Sequence, residues 1–293
     1  MSVSWWRTVA ELVLCALAGW RLWRLRPAVI GTTLVDAWGW ACGVAGISAV
    51  VSAIGCSGRP FPAGDCLVAV IGLTPLVAVL GARRPTNRVW TPFVMLPLVV
   101  VLYWPVLWVV ATRGWLASVA LELPALAGFA LVAVMACGNY IGTRLMFAAL
   151  VWGLALGALL WSASSDDWLG SGRVRLAMGL VGIFGLWRVE MVWTISTATA
   201  DRFDRVWFDI LDRFGVVWAR RLQERLNALA RQHTWPGQLE LDGWKWRQPL
   251  TAEQQQQLEH ACRWLLRRFV DAPWLDARLG TKAVAIKTLS VDS

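Results

Sequence analysis

WTPFVMLPLVVVLYWPVLWVVAT, residues Trp90–Thr112, contains no charged side chain. Its 23 residues form an α-helix of about 35 Å at 1.5 Å per residue, against a bilayer hydrocarbon core of about 30 Å. Comparable apolar runs flank it: Cys66–Ala82 before, Leu145–Trp161 and Leu176–Ala198 after. Trp5–Trp23 reads as the first of the set, and seven such stretches fill the first two-thirds of the chain. A water-soluble core has no use for that many long segments apolar on every side. The predicted fold class is an all-α polytopic membrane bundle of about seven transmembrane helices, with a small C-terminal α+β cytoplasmic module.

Charge density changes along the chain. Residues 1–198 hold 13 Arg and 7 Asp or Glu, whereas 199–293 hold 15 Lys or Arg and 12 Asp or Glu. The step predicts a transmembrane domain, 1–198, and a cytoplasmic tail, 199–293, near the size of one small domain. Six of the nine net positive charges, 13 minus 7, belong to the membrane part, where loop arginines set topology. The tail's surplus of three, 15 minus 12, is interspersed rather than blocked. A nucleic-acid partner is not expected; a weakly cationic face toward anionic lipid is. No secretory signal is read at the amino terminus, because Glu11 interrupts the apolar run and Arg7 is its only early cation. Arg7 and Glu11 stand four apart and are expected to pair on one helix face.

Loop arginines predict the threading. Arg21, Arg24, Arg26, Arg83, Arg84, Arg88 and Arg144 fall in alternate connections, against Arg59, Arg113, Arg173 and Arg175 in the others. An amino terminus outside and a cytoplasmic tail follow from that contrast. Trp90, Trp115, Trp161 and Trp168 lie near span ends, as in an aromatic belt.

Small residues recur at helix-contact spacing: Gly39 and Gly43, Gly138 and Gly142, Gly153 and Gly157, then Gly179, Gly182 and Gly185. They fit one compact bundle or a homo-oligomer face. Pro75, Pro97, Pro105 and Pro124 interrupt spans and free carbonyls, which in other bundles become substrate sites or only kinks. Ionisable residues at membrane depth are expensive to bury and so are the intramembrane candidates: Asp36, Glu122, Arg188 and Glu190. Arg188 and Glu190 diverge by about 200° on their helix, and Asp36 is the partner expected for Arg188. A structural ion pair, snorkelling to the interface and a proton or substrate site are the three readings of that pair.

Cys15, Cys42 and Cys137 fall inside apolar spans as small hydrophobes. Cys56 and Cys66 flank the Gly- and Pro-bearing loop Ser57–Asp65, where an oxidising exterior permits a disulfide; two separate thiols are the other reading. His233 and His260 have no ligands at metal spacing, and no metal or other cofactor is predicted. No GxSxG, HExxH or phosphate-binding glycine loop occurs, so nothing points to an enzyme.

In the tail, Phe203, Trp207, Ile210, Phe214 and Val217 follow spacings of four, three, four and three. Leu222, Leu226 and Leu229 continue the stripe after a one-residue shift. This predicts an amphipathic helix of about 30 residues, continuous with the last span because no breaker lies between Leu186 and Gln232. Its apolar face is destined for the tail's own core, the membrane surface or a partner. Leu239–Arg247 reads as a β-hairpin with an Asp242-Gly243 turn, Leu241 opposite Trp244 and Leu239 opposite Trp246. Thr251 and Gln254 form a capping box for a second helix, ended by Asp271-Ala272-Pro273. Ala283–Leu289 is a short strand or loose chain.

The function expected is that of a membrane scaffold or assembly protein, its tail docking a protein partner or the lipid surface through Phe203, Trp207, Phe214, Trp218, Trp244 and Trp246. The alternative is a transporter or channel with a mid-membrane site of Asp36, Arg188 and Glu190.

Overall fold

The computed structural model describes residues 3–55, 61–164, 168–195 and 201–280. Helices dominate, in the order α1 (Val3–Val29), α2 (Val35–Ile54), α3 (Pro62–Gly72), α4 (Thr74–Leu80), α5 (Thr86–Trp90), a π-helical turn Thr91–Met95, α6 (Leu96–Arg113), α7 (Leu123–Gly138), α8 (Met146–Ser164) and α9 (Trp168–Ile195). The C-terminal part adds α10 (Arg202–Gln232), strands β1 (Gly237–Glu240) and β2 (Gly243–Trp246), α11 (Ala252–Leu266) and α12 (Ala272–Leu279). Five helical segments among the described residues are long and apolar enough to cross a bilayer: α2, α3–α4, α5–α6, α8 and α9. Helix α7 is apolar but shorter. Large apolar side chains such as Phe93, Leu131, Val134, Phe147, Leu154 and Trp161 are exposed on the outer faces. Apolar exposure on that scale fits lipid as the surrounding solvent. The protein is a membrane-embedded helical bundle with a small two-stranded sheet.

The α3–α4 segment is the most buried of the five and packs against α2, α6, α7 and α8. Gly72 lets it meet α8 closely, since a Cβ there would lie 2.4 Å from Leu156. Pro75 splits the segment, and the polar groups around the break are met locally. Thr74 Oγ1 donates to Ile71 O at 2.6 Å, and the Trp152 indole donates to Gly72 O at 2.9 Å. The π-helical turn just before Pro97 absorbs the second missing amide. At Pro75 the freed Ile71 carbonyl is thus taken by Thr74 rather than left open for a substrate.

The C-terminal module shares one hydrophobic core with the bundle: Val29, Leu34, Val79 and Ala82 cluster with Phe203, Ile210, Phe214, Trp218, Leu258 and Phe269. Two sequence expectations are corrected here. Helix α10 is not a continuation of α9. It opens at Asp201, whose backbone is extended and whose carboxylate accepts the Phe203 amide at 3.0 Å, a fresh N-cap. Residues 196–200 lie outside the described residues. Helix α10 is also broken within, at Gly215, with φ 78° and ψ 177°.

The hairpin exists, but its register is slipped: Leu239 pairs with Trp244 and Gly237 with Trp246. Tertiary bonds override the turn preference. Asn227 of α10 accepts the Leu239 amide at 2.8 Å and donates to its carbonyl at 2.9 Å, while Gln223 donates to the same oxygen at 2.9 Å. Asp204 accepts the Trp244 amide at 2.8 Å, although burial holds that carboxyl above its usual range. Gly243, at φ 113°, closes the loop. Asn227→Ala is expected to cost about 1–3 kcal/mol, since it strands the amide of buried Leu239 and leaves its carbonyl to Gln223 alone; a thermal scan in detergent reads the loss.

The capping box at Thr251 forms as expected, with Gln254 N to Thr251 Oγ1 at 3.2 Å and Thr251 N to Gln254 Oε1 at 3.1 Å. Helix α11 ends at Leu266, short of the expected stop, and Asp271-Ala272-Pro273 instead starts α12, where proline suits the first turn. Residues 281–293, with the strand expected at Ala283–Leu289, lie outside the described residues.

Candidate functional site

Three structures stand out: a seam between module and bundle, a buried ion cluster, and a cavity between them. The seam involves three connections of the bundle. In the first, Thr33 N donates to Phe269 O at 2.8 Å, Asp271 N to Gly31 O at 2.7 Å, and Thr32 bridges Val270. In the next, Arg84 N donates to Arg268 O at 2.8 Å and the Trp218 indole to Val79 O at 3.1 Å. In the third, Arg144 holds Asp212, with Nε to Oδ2 at 2.7 Å and its amide to Oδ1 at 3.0 Å.

Asn139, just after α7, fills the break in α10. Its carbonyl accepts the Val216 amide at 2.7 Å, Oδ1 accepts the Val217 amide at 3.1 Å, and Nδ2 donates to Phe214 O at 3.2 Å. One buried asparagine thus replaces three backbone bonds that the helix gives up at Gly215. Beside it, Arg213 Nη1 donates to Ala28 O at 2.9 Å and the guanidinium lies 4.6 Å from the Trp193 ring centre. Burial pushes Arg213 down to about 10, so it stays charged at neutral pH.

At the opposite end of the bundle, Arg175 of α9 reaches Asp65 of α3 and Glu11 of α1. Arg175 Nη1 lies 2.8 Å and 3.2 Å from the two Asp65 oxygens, and Nε lies 3.3 Å from Glu11 Oε2. Arg7 Nε stands 3.8 Å from Glu11 Oε1, so the expected pair of Arg7 and Glu11 is long and Glu11 leans to Arg175. Asp65 and Glu11 are 2% and 3% exposed, which makes this the most deeply buried charge cluster of the spanning helices. Two cations and two carboxylates balance. Neither Glu11 oxygen accepts a well-formed hydrogen bond.

Helices α1, α2, α3–α4, α8 and α9 touch in cyclic order, each packing on the next. Inside that ring lies a cavity of about 270 Å³. It is walled by aliphatic side chains such as Leu14, Val44, Leu76 and Met178, and by Trp38, Trp152 and Trp193. Glu11 and Arg175 line it at one end and Arg213 at the other.

The sequence candidates are dispersed. Asp36 is exposed in the first turn of α2, 3.5 Å from Asn87. Arg188 donates to Arg144 O at 3.4 Å, so the expected contact between Asp36 and Arg188 does not form. Glu190 instead binds Arg21 at 2.6 Å and Arg24 at 2.8 Å, because α1 rather than α2 provides its neighbouring cations. Glu122 is exposed just before α7. Phe203, Trp207, Phe214, Trp218 and Trp244 are buried, and Trp246 stacks on Trp244 at 4.6 Å. Those rings pack the module's core and its seam, leaving little of them for a partner. Cys66 is fully buried, while Cys56 lies outside the described residues and with it the possible disulfide. The glycine rows have mixed roles: Gly153 adjoins Cys137 and Gly179 adjoins Leu14, whereas Gly39, Gly43, Gly157 and Gly185 meet no close neighbour.

Glu11, Asp65, Arg175 and Asn139 were not singled out as a site by sequence reasoning. Asp65 and Arg175 sit near predicted span ends, where charge is ordinary; only their common depth on separate helices hinted at a meeting. Comparisons with protein-family models, with curated proteins and with solved structures give no match. Among the described residues no three His, Cys, Asp or Glu side chains gather as a metal site.

Proposed function

We propose that this chain is a seven-span integral membrane platform that presents a rigidly mounted cytoplasmic module, 199–293, to an acidic protein partner. The seam carries this reading. Connections 29–34, 81–84 and 139–144 all bond to one module, and connections with a common neighbour belong on a common side of the bilayer. Between them, α2 with α3–α4, α5–α6 with α7, and α8 with α9 make three out-and-back pairs; α1 is the seventh crossing. Arg83, Arg84 and Arg144 in those connections, with Arg88 in the short α5 that follows, support the cytoplasm for that side and the exterior for the amino terminus. Helix α7, at 16 residues, spans by local thinning of the bilayer.

A module fixed by so many bonds does not swing, so its outer face has a set orientation. That face is the second half of α10, where Arg220, Arg221, Arg225 and Arg231 are exposed with Glu224 among them. Like charge of that density suits an acidic surface and speeds encounter. The transport reading has no comparable support, since Asp36, Arg188 and Glu190 point to different neighbours.

The test is affinity purification from membranes in mild detergent, comparing wild type with Arg221→Glu/Arg225→Glu/Arg231→Glu. A stoichiometric protein partner is expected with wild type and lost with the variant, whose thermal stability should stay within about 0.5 kcal/mol. Wild-type preparations that carry lipid alone, from every membrane source tried, would sink the reading.

A further inference from the structure

We propose that the cavity inside the five-helix ring binds a single-chain amphiphile with a neutral hydroxyl head, the chain among the aliphatic walls and the hydroxyl at Glu11 and Arg175. This goes beyond the platform reading and is independent of it.

Three observations define the ligand. The wall is almost wholly aliphatic and aromatic, so the body of the ligand is hydrocarbon. The volume, about 270 Å³, lies just below the usual range of about 300–1,000 Å³ for small-molecule sites, which suits one chain. Polar side chains are few in the lining. At the outer end Ser48 Oγ is buried without a hydrogen-bond partner, and Glu11 Oε1 and Oε2 are met only by long ion pairs, 3.8 Å to Arg7 Nε and 3.3 Å to Arg175 Nε. Buried acceptors and donors left in that condition cost free energy that a ligand can recover.

Head-group charge follows from the local balance. Arg7 and Arg175 face Glu11 and Asp65, two positive against two negative. An added carboxylate meets two carboxylates at close range, and an added ammonium meets two guanidinium groups. A hydroxyl carries one donor for a Glu11 oxygen and lone pairs for Arg175 Nε or Ser48 Oγ, and brings no net charge. Trp193 Nε1 and Arg213 Nε, also without hydrogen-bond partners, belong to residues of the same lining.

Gly185 supplies a clean test, because it lines the cavity and a Cβ added there meets nothing within 4 Å. Gly185→Leu should fill the space without displacing the helices. The probe is hexadecanol carrying a mid-chain diazirine, photolysed with the full-length protein in detergent and mapped by peptide mass spectrometry. Cross-links are expected on α1, α2 and α9 at mid-depth lining residues such as Ala18, Ala41 and Gly182. Unlabelled hexadecanol should compete at least roughly tenfold better than hexadecanoate, whose charge would be desolvated beside Glu11. Gly185→Leu should lose these cross-links with unchanged thermal stability, and Glu11→Gln should narrow the gap between alcohol and acid. Cross-links confined to outward-facing residues such as Trp104 and Leu131, or equal labelling of wild type and Gly185→Leu, would overturn the proposal. So would a cavity that takes up only water, read as no saturable labelling.

Discussion

Gly215→Ala is expected to unseat the module from the bundle and to destabilise the protein by about 3–5 kcal/mol. The break in α10 has φ 78° and ψ 177°, a region essentially closed to residues with a Cβ and costing about 1–3 kcal/mol to enforce. The added carbon would also lie 2.3 Å from Asn139 Nδ2 and 2.5 Å from Asn139 O. Those are the atoms that serve Phe214 O and the Val216 amide, so relief of the clash takes the bonds with it at about 1 kcal/mol each. A thermal scan in detergent should show a drop of roughly 10 °C, with faster proteolysis between residues 201 and 280. Asn139→Ala removes only the two side-chain bonds and should fall between this variant and wild type. An unchanged melting temperature for Gly215→Ala would mean that the seam is not what holds the module.

The apolar helices were legible because lipid forces each segment to satisfy its own backbone, which leaves long uncharged runs in the chain. The capping box at Thr251 was legible for a related reason: both partners lie within one turn. What the chain hid was whatever depends on a distant element. The hairpin register is set by Gln223 and Asn227 reaching Leu239, not by the Asp242-Gly243 turn preference. The break at Gly215 left one trace, the single-residue shift of the apolar stripe between Val217 and Leu222, which fits a kinked helix as well as an irregular straight one. The aromatic residues of the module looked like a docking surface because their stripe is continuous; the bundle itself covers much of it. The ion cluster was least legible. Glu11, Asp65 and Arg175 come from three helices, and a charge near a span end is ordinary until its neighbours are known.

Removing Arg175 should show how much that cluster matters. Arg175→Met leaves Asp65 and Glu11, 2% and 3% exposed, with only Arg7 nearby, at 3.8 Å from Glu11. Breaking one member out of a buried ion group costs about 3–5 kcal/mol, since the remaining charge is desolvated and uncompensated. Arg175→Lys keeps the charge but cannot bridge two carboxylates with one planar fork, so an intermediate loss is expected. The informative comparison is Arg175→Met/Asp65→Asn, which leaves Arg7 facing Glu11 and so keeps the cluster neutral. If the cluster acts through charge balance, deleting both signs together should recover most of the stability lost in the single variant, because the desolvation cost disappears with the attraction. Melting temperatures in detergent for the three variants decide the matter. A double variant no better than Arg175→Met would assign the arginine a packing role, its guanidinium lying beside Gly55. An unchanged single variant would mean that water reaches the carboxylates and that the outer end of the bundle is open.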